Sequence, residues 1–276
     1  MTQISVTRAA KQIPFYLVTT FYAVLIVMPL VTLLIASLRT DANLYSPYFF
    51  DFNLTLSNYK IAWNQYPLGR YLLNSLLVSS LITLGVVLTS SMAGYALTRV
   101  QIFGREIIFG VIVALLLVPG EVTFLPLYLH VSSLGWLDTY AALIVPFLAS
   151  PLGVFLMRQF MKSLPQELFD AAKIDGAGHL RTFWHVALPL STPASGALAA
   201  LTFLSSWNMY LWPLITTQSK EMQTAQIAVN MIVSNEVAQW NVVAAASILV
   251  LLPTLIAFLV AQRFFVRGIA MAGLKG

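Results

Sequence analysis

"PFYLVTTFYAVLIVMPLVTLLIASL", residues 14–38, contains no charged side chain. A helix rises about 1.5 Å per residue, so about 20 predominantly apolar residues cross a hydrocarbon core of roughly 30 Å. Arg8 and Lys11 precede the run and Arg39 follows it. A secretory signal has a shorter apolar region, about 7–15 residues, and a small-residue cleavage site after it. This run is longer and no A-x-A site follows, so it reads as a retained first membrane span.

The same pattern recurs along the chain. Apolar windows, charge-free but for Glu121 and Arg158, place further spans at about 71–97, 107–128, 139–160, 192–216 and 242–262. The third is interrupted by Pro119-Gly120-Glu121. Composition agrees: 59% of residues are hydrophobic and 9% charged, against about 25% charged in an ordinary soluble domain. Such a chain cannot cover a water-facing surface, and the bilayer is its natural solvent. The expected fold is all-α: a polytopic membrane bundle of six transmembrane helices, residues 1–276 forming one membrane domain.

Six spans bring both termini to one side. Of the 15 Lys and Arg, all but Arg39, Lys60, Arg70 and Lys220 fall on that side. Cationic residues favour the cytoplasmic side. Both termini and the 161–190 loop are therefore expected in the cytoplasm, with external loops at about 40–70 and 217–241.

Several function classes are excluded. There is no cysteine, hence no disulfide, thiolate metal site or cysteine nucleophile. His130, His179 and His185 are scattered and match no metal-binding spacing. The net charge of +5 is spread singly over the ends of apolar runs, which suits membrane anchoring and not nucleic acid. The spans lack the converging acid, base and nucleophile of a membrane enzyme. A channel or secondary transporter often shows internal repeats or intramembrane ionisable groups, and only Glu121 answers that description.

Span two carries Asn74, Ser75, Ser79, Ser80, Gly85, Ser90, Ser91 and Gly94; small residues let helices approach closely in lipid. Pro29 and Pro253 suggest kinks. Glu121 should face protein or water, lining a cavity or ending at the outer surface. In "SSWNMYLWPL" (205–214), Trp207, Tyr210 and Trp212 offer flat faces and Asn208 a donor and an acceptor. That combination suits a sugar, and equally suits an interfacial aromatic belt. Glu121, Asn208, Trp207 and Tyr210 are the candidate substrate-pathway residues.

One polar island stands out: "KSLPQELFDAAKIDGAGHLRTFWHVALPLS", residues 162–191. Ser163 and Gln166 have capping-box spacing and Pro165 suits a first turn, so a helix is expected over about 165–175. Gly176 supplies a left-handed cap. A second helix, about 178–187, puts Leu180, Phe183, Trp184 and Ala187 on one face, and Pro189 ends it. The turn is nearly bare at Ala171, Ala172, Gly176 and Ala177. It suits either insertion into a partner's groove or a plain connection between spans.

Asp170-Ala171-Ala172, Asp175-Gly176-Ala177 and Leu188-Pro189 resemble the "EAA" loop of permease subunits in binding-protein-dependent ABC importers, with Asp170 where Glu is usual. "NSLLVSS…SSMAGYALTR" (74–99), "LPQELFDAAKIDGA" (164–177), "WNMYLWPL" (207–214) and "QRFFVRGIAMAGLKG" (262–276) are similar to carbohydrate-type permeases, most of all the smaller six-span subunit of maltose and glycerol-3-phosphate systems. The resemblance implies a coupling helix-turn-helix between spans four and five, with Asp170, Ala171, Ala172, Asp175, Gly176 and Ala177 contacting the ATPase. It implies a second permease subunit, two copies of a cytoplasmic ABC ATPase that bind ATP and Mg, and an extracytoplasmic solute-binding protein meeting residues 218–239. This chain carries no Walker A loop, since no Gly is followed by Lys. The implied location is the bacterial inner membrane. A sugar or polyol is the expected cargo, glycerol-3-phosphate or a glycerophosphodiester the alternative.

Overall fold

The computed structural model describes residues 3–40, 53–233 and 239–272. Parts of both external loops (41–52 and 234–238) and the last residues of the C-terminal motif (273–276) lie outside the described residues. In chain order the helices are α1 (Gln3–Leu38), α2 (Ser57–Gln65), α3 (Leu68–Arg99), α4 (Arg105–Ala114), α5 (Gly120–Ser133), α6 (Tyr140–Ile144) and α7 (Pro151–Lys162). They continue as α8 (Gln166–Ile174), α9 (His179–Thr182), α10 (Leu188–Leu190), α11 (Thr192–Trp207), α12 (Leu211–Thr216), α13 (Ala225–Val233) and α14 (Trp240–Ala272). Among the described residues there is no strand, only an isolated bridge between Arg39 and Leu54.

Three helical stretches are long and apolar enough to cross a membrane alone: Pro14–Leu38, Leu68–Arg99 and Trp240–Val260. Three more candidates are bent pairs. Arg105–Leu117 and Gly120–Ser133 meet at 101°, Tyr140–Phe147 and Pro151–Lys162 at 40°, His179–Leu190 and Thr192–Trp207 at 76°. The largest bend falls at Val118–Pro119, where Pro119 lacks the N–H to continue the ladder. Pro29 and Pro253 stand inside α1 and α14, which run through them unbroken.

The chain forms two compact units, Met1–Leu68 with Val229–Leu249, and Gly69–Ala228 with Val250–Gly276. In the first, Asn58 ties the end of α1 to the start of α14. Its buried Nδ2 donates to the Ser37 and Arg39 carbonyls at 2.8 Å each, and its Oδ1 accepts from Asn241 Nδ2 at 3.0 Å. Most of α1 presents apolar side chains outward.

The second unit is built around α3. Val78, Ile82, Val86 and Tyr95 on this helix pack with Leu143, Met157, Met161, Phe183, Leu198 and Trp212. Trp212 is fully buried, its indole N–H donating to the Ala142 carbonyl at 3.0 Å and its ring meeting Phe147 and Phe124. α3 and α7 approach closely at Gly94, where a Cβ would lie 2.9 Å from the Arg158 backbone nitrogen. Arg158 is itself almost wholly buried: its guanidinium lies 3.8 Å over the Phe109 ring and donates to Glu106 at 2.6 Å, pinning α4 to α7.

Candidate functional site

The 161–190 island folds as an elbow. α7 ends at Lys162, and Ser163 turns its hydroxyl back onto the Phe160 carbonyl at 2.7 Å. The expected capping box is therefore not formed. Pro165 precedes α8 and Gln166 opens it, so Gln166 holds the first helical position and not the third that a capping box uses. Gln166 instead donates to Asp170 Oδ1 at 3.0 Å and accepts from Arg99. α8 then runs to Ile174, and its end is closed by Gly176 in the left-handed conformation, φ +75°. The Ala177 N–H returns to the Ala172 carbonyl at 2.9 Å and the Gly176 N–H to Lys173 at 3.1 Å, as a Schellman-type cap requires.

Asp170, Ala171, Asp175 and Gly176 are exposed, Ala172 and Ala177 half-buried. An added Cβ at Gly176 would meet nothing within 4 Å. The six residues thus form one open, nearly bare corner carrying two carboxylates, Asp170 and Asp175. Phe169 points the other way, into the core against Tyr95.

The second arm differs from the sequence expectation. After α9, residues Phe183–Ala187 form a π-helical turn, and helix continues through Pro189 to Leu190. The wider turn splits the expected single face. Phe183 and Ala187 are buried, whereas Leu180 and Trp184 stay exposed.

Of the candidate pathway residues, Glu121 stands on α5, whereas Trp207, Asn208 and Tyr210 lie at one helix break. Glu121 is exposed in the first turn of α5, beside a concavity of about 570 Å³ shared with Phe124, Leu125, Tyr128, Leu211 and Ile215. The expected fifth span breaks at Asn208–Tyr210, between α11 and α12. Trp207 is buried, stacked on Phe203, and its indole N–H donates to the Val250 carbonyl at 3.2 Å. Its ring is committed to packing in this conformation. Asn208 is exposed; it donates to the Leu204 carbonyl at 2.8 Å and accepts from Gln226 at 3.2 Å. Tyr210 is half-buried at the break.

Beyond α12 the chain follows a fixed path set by side chains bonding to its backbone. Asn74, buried on α3, donates to the Glu221 carbonyl at 2.7 Å and the Gln223 carbonyl at 2.8 Å, and accepts from the Tyr140 hydroxyl at 2.8 Å. Ser75 Oγ accepts from the Ala225 N–H at 2.8 Å. Asp138 adopts φ +60°, a region that Asp tolerates better than most residues. Its N–H donates to Thr216 at 2.8 Å, and its carboxylate accepts from the Gln218 and Ser219 N–H groups at 2.9 and 3.0 Å. Those two backbone donors, Ser219 foremost, hold the carboxyl below the usual aspartate range. Gln218, Lys220 and Glu221 remain exposed.

Sequence reading missed Asp138, and took Asn74 only as a small polar packing residue and Arg99 only as a topological charge. The signal for Asp138 was present: an Asp beside Gly135 between two apolar runs marks a turn that uses left-handed backbone.

Comparison with known proteins places this architecture. The model for "Binding-protein-dependent transport system inner membrane component" matches residues 85–270. The sn-glycerol-3-phosphate transport system permease protein UgpE of Yersinia pestis is 41% identical over 208 residues, covering 75% of this chain and 74% of that relative. The arabinooligosaccharides transport system permease protein AraQ of Bacillus subtilis is 34% identical over 279 residues, covering 99% and 98%. In fold, the chain superposes on a bacterial ABC transporter involved in import of the acidic polysaccharide alginate, with a TM-score of 0.84 at 20% identity, covering 94% and 98% of the two chains. With an elbow that carries the family's motif, a family model matched over residues 85–270 and a relative alike over nearly the whole chain, the chain belongs to the binding-protein-dependent transport system inner membrane components, the permeases of ABC importers.

Proposed function

We propose that this chain imports a sugar or related polyol, delivered by an extracytoplasmic binding protein, and that α8 and Gly176 form the coupling elbow through which a separate ATPase drives it. The observation carrying this reading is the bare corner from Asp170 to Ala177, held open by a left-handed glycine and backed by a buried Phe169. Small residues admit close backbone approach, and Asp170 and Asp175 fix orientation by charge. Residues 1–276 act as one permease domain with both termini in the cytoplasm. It pairs with a second permease subunit and two ATPase copies, which hold ATP and Mg. ATP binding draws the ATPases together, and the docked elbows rock the permeases as fairly rigid bodies. The docked corner must bind differently in the two states for coupling to exist.

The clamped segment 217–225 supports a preformed landing surface for the binding protein. A structural neighbour was solved in complex with an alginate pentasaccharide-bound periplasmic protein, which favours such a partner. The likeness to AraQ over nearly the whole chain favours a saccharide. A phosphorylated cargo asks for Arg or Lys in the pathway, and the middles of the apolar runs carry neither. The likeness to UgpE favours sn-glycerol-3-phosphate as the second reading, with the partner permease then supplying the cation.

The absence of native cysteine gives a direct test. Ala172→Cys, paired with a cysteine in the groove of the ATPase, is expected to crosslink on oxidation. Failure at every position from 170 to 177 in an intact complex refutes the docking. Stimulation of ATP hydrolysis by binding protein loaded with a panel of sugars and with sn-glycerol-3-phosphate identifies the cargo.

A further inference from the structure

Arg99 sits at the last position of α3, where a cation ordinarily anchors a span by reaching into water. Arg105 and Lys162 do so and are exposed. Arg99 does not. One terminal nitrogen donates to the Met161 carbonyl at 2.7 Å and the Leu164 carbonyl at 2.9 Å, closing the end of α7. The other donates to Gln166 Oε1 on α8. The guanidinium plane lies 4.0 Å from the centroid of the Phe169 ring, also on α8. Its Nε is buried without a hydrogen-bond partner. Arg99 is thus half-buried, and the desolvated part of a guanidinium is costly unless it is paired. Here its partners are two carbonyls, a side-chain amide and a ring, spread over two other elements.

The surroundings make this contact important. A cavity of about 580 Å³ opens between the end of α3, the turn after it and α8, walled by Arg99, Asp170, Lys173 and His179. α8 is therefore not packed continuously along its inner side. Its attachments to α3 are Arg99 and, one turn earlier, Tyr95, whose ring meets Phe169 and also Phe183 beyond the elbow.

We infer that Arg99 is a positioning residue of the transport cycle, fastening the end of α3 to α7 and α8 so that displacement of the elbow is delivered to α3. This rests on the reading of α8 as the coupling helix and names the path by which force leaves it. Arg suits the role because its planar fork makes several directed bonds while its face stacks; a Lys keeps the charge and loses both the fork and the stack.

The test uses the complete complex in lipid, with Arg99→Met, Arg99→Lys and Phe169→Leu. ATPase co-purification and basal hydrolysis are expected to persist in all three. Hydrolysis stimulated by cargo-loaded binding protein, and uptake per ATP, are expected to fall about tenfold in Arg99→Met, a single charge-assisted contact being enough for that. Phe169→Leu falls in the same direction and Arg99→Lys lies between. Wild-type stimulation and uptake per ATP in Arg99→Met overturn the inference. So does loss of assembly in Arg99→Lys, which assigns the residue to stability alone.

A second measurement does not depend on the ATPase. Spin labels on Lys162→Cys and Ile174→Cys give a narrow distance distribution that broadens when Arg99→Met is added. An unchanged width overturns the fastening. A wild-type chain that captures no ATPase sinks the coupling reading, while the label distances still decide whether Arg99 holds α8.

Discussion

Gly94→Ala isolates a close backbone contact between two helices of the second unit. The new Cβ lies 2.9 Å from the Arg158 nitrogen and 3.0 Å from Met157 C and Cβ. Ordinary carbon contacts sit at about 3.5–4.0 Å, so α3 and α7 must separate by roughly 0.5–1 Å. Two of the obstructing atoms are backbone and cannot rotate away. Nor does Arg158 give easily, being held by Glu106 and Phe109. Overpacking a closed interface costs about 1–3 kcal/mol. Alanine also improves helix propensity by roughly 1 kcal/mol, which masks part of the loss. Gly110→Ala supplies the correction, because Gly110 lies in α4 with nothing within 4 Å of an added Cβ. The difference between the two variants removes the propensity gain and leaves about 1–3 kcal/mol, or roughly 2–12 °C in melting temperature for a chain of this size. The assay is thermal unfolding of the purified chain in detergent, followed by tryptophan fluorescence. Equal melting temperatures for the two variants refute the close approach of α3 and α7.

Three further outcomes are expected. Gly176→Val forces a β-branched residue to φ +75°, costing about 1–2 kcal/mol; ATPase co-purification falls about tenfold while Gly176→Asn stays near wild type. The Asp138 clamp, with its carboxyl held low by the Ser219 and Gln218 N–H groups, contributes fully above the ordinary value of 3.8 and is lost as pH falls through the lower folded value. Corrected amide exchange at Gln218 and Ser219 is therefore flat between about pH 7 and pH 4 and rises below, whereas Asp138→Ala exchanges fast throughout. Glu106→Leu strands the buried Arg158 guanidinium, and after allowance for the exposure of Glu106 costs about 1 kcal/mol more than Glu106→Leu combined with Arg158→Met; strictly additive effects in thermal unfolding refute that pairing.

Much of the fold is legible because lipid imposes simple rules. Apolar windows mark candidate spans, and Pro119-Gly120 announces the break that the structure resolves as a 101° bend. The elbow is readable from Gly176, since a glycine after a short amphipathic run is the usual left-handed stop. What escapes is set by tertiary partners. The Ser163–Gln166 box satisfies a spacing rule, yet Arg99 and Asp170 outcompete Ser163 for the Gln166 side chain. The π-turn at Phe183–Ala187 has no sequence signature, and it reverses the facing of Leu180 and Trp184. Trp207 suits a sugar platform by composition, but a carbonyl 43 residues away, on Val250, claims its N–H. The break at Asn208–Tyr210 is likewise not announced by any charge in the window 192–216.

The strap after α12 is gripped by its peptide groups: Asn74 and Arg70 reach carbonyls of Glu221 and Gln223, and Asp138 and Ser75 receive N–H groups from residues 218, 219 and 225. None of those grips reads the identity of Gln218, Lys220 or Glu221. Their outward chemistry is thus free to drift while the curve of the chain stays put. On the proposed reading of this strap as the binding protein's landing surface, a change of delivery vehicle asks for a few surface substitutions and no redesign of the scaffold beneath.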